Sequence, residues 1–292
     1  MPTIRFARLR FEKKLSHYTD ERDAIKRRKE LLLNVIDYHT NVNSLLMGTE
    51  SQEKINLGEW YFGDVDSEES NVISARIGKA KDDTQTLPDE DVEGFVKRDT
   101  EDADVAFFII DLKNSVMAYE YNTKIGKKAP YRILRDAFNS YYDGEEEIRV
   151  SPLVDKQEVR NEISSLSFIS EIKFSNLQPT NPDHTPRSKP MDDFLQESKI
   201  NRLHFRGVSD QRKNNPEGIS LEGSPLLDGG LSLAEEGYGS ATVEGKIPSG
   251  ETKKVKTGEI PIESSAELGD SDTANRKRLL EEIRDALDEL DD

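Results

Sequence analysis

The chain contains no cysteine. That absence removes a disulfide framework, a thiolate zinc site and a cysteine nucleophile, and it fits a reducing compartment. Long apolar runs are missing too: no stretch approaches the roughly 20 residues that a membrane-spanning helix needs. The start, Met1-Pro2-Thr3-Ile4, runs into alternating charged and apolar residues without the apolar core of a secretory signal. The expected compartment is therefore the cytoplasm, and no membrane partner is expected.

Histidine is scarce as well. His17, His39, His184 and His204 are scattered, with no spacing that sets two imidazoles on one helix face for a metal. No Gly-Lys-Ser or Gly-Lys-Thr accompanies Gly229, Gly230, Gly237 and Gly239, so these read as turn or helix-end glycines rather than a phosphate loop. No cofactor is expected, except magnesium under one alternative given below.

What is present is charge. Of 292 residues, 34% are charged and 34% hydrophobic, and the formal net charge is −17. That is polar for a globular protein but above the range of wholly disordered chains, and the length suits one or two domains. Spread evenly, the charge would repel a phosphate backbone. It is not spread evenly: acid concentrates between Glu50 and Asp111 and at the C-terminus, whereas roughly the first thirty residues are net basic.

Pattern along the chain predicts an α+β fold, a mixed or antiparallel sheet with helices packed on it. Thr3 to Phe11 reads as a strand with a bulge near Ala7, and Glu21 to His39 as an amphipathic helix. Strands follow at Lys54 to Phe62 and Val72 to Ala80, and Lys81 to Glu93, with Pro88, reads as an exposed loop. The apolar Val105 to Ile110 pairs with Val116 to Tyr121 at the centre of the sheet. A helix opens at Pro130 and stops at Gly144. Ile148 to Val154 is a strand, Asp155 with Glu158 opens a helix through Leu166, and Ile169 to Leu177 is a strand again. Beyond the prolines lie a short helix from Ser188, a strand at Arg202 to Arg206, a helix from Ser224-Pro225, and a hairpin of Ala241 to Ile247 with Lys253 to Ile262.

These signals divide the chain into an N-terminal α+β domain (1–178), a proline-rich linker (179–190), a smaller C-terminal α+β lobe (191–262), a polar linker (263–274) and a tethered amphipathic helix (275–292). Leu280, Ile283, Leu287 and Leu290 form a narrow stripe on that helix, read as a seam for a partner protein or for oligomerisation.

The basic residues make a candidate nucleic-acid site: Arg5, Arg8 and Arg10 on the first strand, then Arg22, Lys26, Arg27, Arg28 and Lys29 on the following helix. Clustered cations are what phosphate contact requires inside a repulsive field. Their competing use is a solvated helix face with internal salt bridges. Lys124, Lys127, Lys128, Arg132 and Arg135 form a second cluster. One alternative carries chemistry: Glu171-Ile-Lys173 on a strand, with Asp155 upstream, matches the acidic-x-lysine end of a magnesium-dependent nuclease, although alternating charges also mark any wet strand face.

Phe107-Phe-Ile-Ile-Asp-Leu-Lys113, Asn181-Pro-Asp183 and Ala234 to Gly245 resemble an uncharacterised bacterial family, a domain of unknown function found among defence and mobile-element genes. The resemblance implies an antiviral-defence context and no active site. The expected function is a non-enzymatic binding component that docks another protein of the same system and engages DNA or RNA. The alternatives are the nuclease and a protein-only scaffold.

Overall fold

The computed structural model describes residues 2–12, 21–36, 45–46, 55–56, 60–89, 94–121, 123–179, 186–210, 218–221, 223–269 and 271–291. Its strands are β1 (Thr3–Glu12), β2 (Leu45–Leu46), β3 (Ile55–Asn56), β4 (Trp60–Asp66), β5 (Val72–Asp89), β6 (Gly94–Asp111), β7 (Val116–Tyr121), β8 (Glu147–Pro152), β9 (Phe168–Leu177), β10 (Leu203–Val208), β11 (Ser240–Lys246), β12 (Thr252–Lys256) and β13 (Glu263–Ser265). Its helices are α1 (Glu21–Ile36), α2 (Ala129–Tyr142), α3 (Lys156–Ser164), α4 (Lys189–Glu197), α5 (Pro225–Glu235) and α6 (Asp272–Asp291). The fold is α+β. One sheet has the order β13-β1-β7-β6-β5-β4 with β8 also on β1, a second has the order β10-β9-β11-β12, and β2 and β3 pair alone.

The residues group into two compact units. The first comprises Met1–Ile4, Leu9–Val150 and Ser264–Glu282, the second Arg5–Arg8, Ser151–Glu263 and Ile283–Asp292. The change of unit near residue 150 differs from the boundary expected at 179–190. β9 lies before those prolines, yet it pairs with both β10 and β11 beyond them. Proline density marks a connection here, and not the end of a sheet.

In the first unit the apolar run Ala106 to Ile110 is buried at the middle of its sheet and pairs with β7. Phe6 and Ala7 are both fully buried, consistent with the expected change of parity in β1. The expected loop at 81–93 is strand as far as Asp89: β5 and β6 stay in register from Val72↔Asp111 to Asp89↔Gly94. Beyond Lys79 no further strand among the described residues pairs with β5 on its other side, and a strand without a second neighbour tolerates a proline such as Pro88.

α6 is not a tethered helix. Asp272 accepts a hydrogen bond from Arg76 at 2.7 Å, and Arg276 meets Asp66 at 2.6 Å. The Asn275 amide exchanges two hydrogen bonds with the backbone of Gly269, each 2.8 Å. In the second unit, Lys156 donates to the Leu290 carbonyl. The buried stripe is Leu279, Ile283, Ala286 and Leu290, with Leu280 and Leu287 half-buried. The seam expected to recruit a partner is largely covered by the chain itself, and residues 263–265 are a strand rather than a linker.

The second unit positions the site described below. Along β11, Ala241, Val243 and Gly245 face inward while Ser240, Thr242, Glu244 and Lys246 face outward, and on β12 Val255 is buried between exposed Lys254 and Lys256. On β9, Ile172, Phe174 and Leu177 join the core with Val159, Met191 and Leu231. α5 lies on this inner side because it has glycines where it must: a Cβ on Gly230 would sit 2.7 Å from the Phe174 ring, and one on Gly229 3.1 Å from the Met191 amide nitrogen. These two glycines are helix-interior packing positions rather than the turn residues expected.

Gly245 seats β11 on β9, where the register shifts between Glu244 and Gly245. Its Cβ would stand 2.3 Å from the Phe168 carbonyl oxygen, a backbone atom that cannot step aside. Gly245→Ala is expected to lower the urea unfolding midpoint by an amount worth about 3 kcal/mol, the upper part of the overpacking range. Gly258→Ala, with open space around it, should leave the midpoint within about 0.5 kcal/mol of wild type.

Candidate functional site

Antiparallel register puts opposed residues on one face. Arg206 opposes Lys173, which opposes Thr242, which opposes Lys256; Val208 opposes Glu171, which opposes Glu244, which opposes Lys254. Lys246 follows opposite Thr252. The outer face of the second sheet therefore carries five cations, Lys173, Arg206, Lys246, Lys254 and Lys256, against two carboxylates, Glu171 and Glu244. The cationic side chains are open to solvent, 43% for Lys173, 62% for Arg206, 47% for Lys254 and 45% for Lys256. A local excess of positive charge thus stands on a chain of net charge −17.

Glu171 organises this face. One of its oxygens accepts two hydrogen bonds from Arg206, Nη2 at 2.6 Å and Nε at 3.1 Å, and the other meets Lys173 Nζ at 2.7 Å. The hydrogen bonds from Arg206 and then Lys173 pull the Glu171 carboxyl down to about 2, and the same contact raises Arg206. A carboxylate so low stays ionised at any working pH and holds two like charges side by side. Lys254 reaches Glu244 at 3.5 Å and Lys256 reaches Glu259 at 2.6 Å. Exposed pairs of this kind contribute little to stability and exchange readily for a stronger anion.

The residues of the nuclease alternative have other uses. Asp155 is the N-cap of α3, its side chain accepting the Glu158 amide at 2.8 Å. Glu171 is neutralised by its two cations, one of them Lys173. Asp155, Glu158, Glu162, Glu259 and Glu263 do line a cavity of about 530 Å³ beside β12, but Glu162 pairs with Lys253 at 2.5 Å and Glu263 with Arg5. Among the described residues no group of three His, Asp or Glu is disposed to hold a metal.

Most of the N-terminal basic residues are engaged within the chain. Arg5 is buried on Glu263, and Arg8 lies over the Tyr238 ring at 5.8 Å. Arg27 sits between Glu30 at 3.8 Å and Glu146 at 3.6 Å. Arg28 donates to the Leu112 carbonyl and the Ser115 hydroxyl, and Lys29 to the carbonyls of Ser67 and Glu69. Arg10 is half-buried, while Arg22 and Lys26 are exposed. In the second basic cluster Lys124 pairs with Asp104 and Arg135 with Asp136. Apart from Lys173, the cations of the open face escaped the sequence reading because the domain boundary expected at 179–190 separated β9 from β10, β11 and β12. The alternation Lys246, Thr252, Lys254, Lys256 was the available signal.

A second cluster lies inside the same unit. Arg160 on α3 donates Nε and Nη2 to one oxygen of Glu235 at 3.2 and 2.7 Å and Nη1 to Asp228 at 2.8 Å, and Arg187 donates to Asp228 at 3.0 Å. The Glu235 side chain is 1% exposed, and its other oxygen has no hydrogen-bond partner among the described residues. Burial pushes its carboxyl up to about 7 against the pull of Arg160. Burial also works to raise Asp228, but the hydrogen bonds from Arg160 and Arg187 outweigh it and the group is lowered. The cluster locks α3 to α5.

Its pH dependence has a definite sign. The folded chain keeps the Glu235 proton where the unfolded chain, near 4.5, has released it. The stability this carboxyl contributes is complete below about pH 4.5 and is lost as pH rises through about 7, a change of about 3 kcal/mol. In paired urea titrations, Glu235→Gln should gain on wild type by that amount between about pH 4.5 and about pH 8. A constant offset across the range would mean that the buried carboxyl is ionised throughout.

Comparison with known proteins adds no activity to this geometry: no curated protein matches the chain. Among the described residues no helix is long and apolar enough to cross a membrane. A family model described as a domain of unknown function, DUF4747, matches residues 9–284. The chain belongs to that family.

Proposed function

We propose that the protein is a non-enzymatic binding component that holds a polyanion, nucleic acid in the first place, on the open face of its second sheet. The carrying observation is the cationic excess on four adjacent strands, with Arg206, Lys173 and Lys256 in one cross-strand row. Phosphates spaced along a strand of DNA or RNA can replace the weakly held carboxylates Glu244 and Glu259 on Lys254 and Lys256. The surrounding negative field keeps non-specific association low, so binding requires contact with this face. We place the protein in the bacterial cytoplasm, working with a protein partner in a defence system, as the family resemblance leads one to expect.

The test is fluorescence anisotropy with a labelled 20-nucleotide single strand over a salt series. Wild type should bind with a salt-sensitive affinity. The double variant Lys254→Glu, Lys256→Glu should bind at least about tenfold more weakly, with a salt slope lower by about 1.4 for two lost phosphate contacts. Lys26→Glu, exposed on α1, should bind as wild type. No binding at low salt would overturn the reading, and a loss confined to Lys26→Glu would move the site to the N-terminal helix.

A further inference from the structure

Among the described residues the second sheet also has an open backbone edge, and we infer that β10 takes up an acidic extended strand from a partner protein as a fifth strand. β10 is the last strand of its sheet. The Ser209 amide donates to the Ser170 carbonyl at 2.8 Å, and the register Arg206↔Lys173, Gly207↔Ile172, Val208↔Glu171 leads directly to that pair. In an antiparallel ladder such pairs alternate. The backbone groups of Phe205 and Gly207 are therefore turned towards β9, while the N–H and C=O groups of Arg206 and Val208 point away from the sheet. Among the described residues no other strand pairs with them.

This edge has apolar anchors. Phe205 is 38% exposed while its ring stacks on Phe174 at 5.8 Å, and Val208 is 61% exposed. Leu203–Val208 contains no proline and no charge on the inner face, two of the devices that normally close an edge to added strands. Its register shift lies at its start, between Leu203 and Phe205, leaving the rest of the strand regular.

Charge selects the occupant. Lys199, Arg202, His204 and Arg206 lie between Ser198 and Ser209 with no carboxylate among them. Arg202, His204 and Arg206 share one parity. A second copy of β10 laid antiparallel with its apolar side matched would set cation against cation, which is destabilising. A strand with carboxylates at alternate positions sets them opposite Arg202 and Arg206 instead. The net negative charge of the chain opposes such a partner only weakly, because at physiological salt its field decays over about 8 Å. The mode is strand addition, with backbone hydrogen bonds supplying affinity and side chains supplying choice. It shares Arg206 with the polyanion reading but stands on the backbone edge rather than on the lysines of β11 and β12.

The experiment uses the full chain and two labelled ten-residue probes, one alternating glutamate with valine and threonine, the other with lysine in place of glutamate. The acidic peptide should bind saturably and the lysine peptide at least about tenfold more weakly. Val208→Pro, which removes an outward N–H and leaves the β9 ladder intact, should weaken the acidic peptide by about tenfold or more, while Val208→Thr should not. Arg202→Glu should narrow or reverse the preference between the probes, and it reads out the proposal should the proline variant fail to fold. Lys254→Glu, Lys256→Glu, three strands away, should cost the acidic peptide far less than Val208→Pro does, which keeps a failure here distinct from a failure of the polyanion site. Absence of peptide binding at millimolar concentration, equal binding of both probes, or a wild-type dimer that Val208→Pro dissolves would each overturn the proposal.

Discussion

The second unit depends on the alternation of a single strand. Inward, β9 gives Ile172 and Phe174 to a core that closes only because α5 presents glycine to the Phe174 ring. Outward, it gives Glu171 and Lys173 to the open face. A slip of one residue would exchange these sets, burying two charges and exposing two large apolar side chains. Burial of an unpaired charge costs several kcal/mol, so the register that builds the core also fixes which charges face solvent. Glu171 then acts as the counterion that allows Arg206 and Lys173 to lie side by side.

Net charge would mislead a reader who applied it to every surface. At −17 the chain repels polyanions at long range in low salt. At physiological ionic strength charges further apart than about 8 Å are largely screened, so a ligand in contact with the sheet responds to the nearest side chains. Those are mostly lysine and arginine. The N-terminal basic residues have a different use: Arg5, Arg27, Arg28 and Lys29 satisfy carboxylates and carbonyls within the chain. Arginine suits such work because its planar fork reaches several acceptors at once, while a lysine on a wet strand remains a solvated point charge available to a ligand.

Much of the fold was legible because its signals are local. Asp155 with Glu158 announced α3, Ser224-Pro225 announced α5, and the hairpin through Pro248 to Gly250 announced β11 and β12. What was hidden is non-local. Proline-rich residues between β9 and β10 look like a domain end, and nothing in their composition reveals that the chain returns to pair with the strand it has left. α6 was misread for a related reason. Its apolar stripe was visible, but the bonds that hold it, from Arg76 to Asp272 and from Arg276 to Asp66, join residues some two hundred positions apart. An apolar stripe predicts that something will cover it and does not say whether that is a partner or the rest of the chain.

The two proposed surfaces meet at Arg206. Its guanidinium lies on Glu171 over the open face, while its amide and carbonyl belong to the outer edge. An acidic strand added at β10 would bring carboxylates beside the row that starts with Arg206 and Lys173, lowering the positive potential there. A polyanion bound across β11 and β12 would lower the same potential from the other side. The two ligands then weaken one another, and linkage makes the effect equal in both directions. Because Lys254 and Lys256 lie three strands from β10, the antagonism would be partial: the strand displaces the polyanion from one end of its row and leaves the other end in contact.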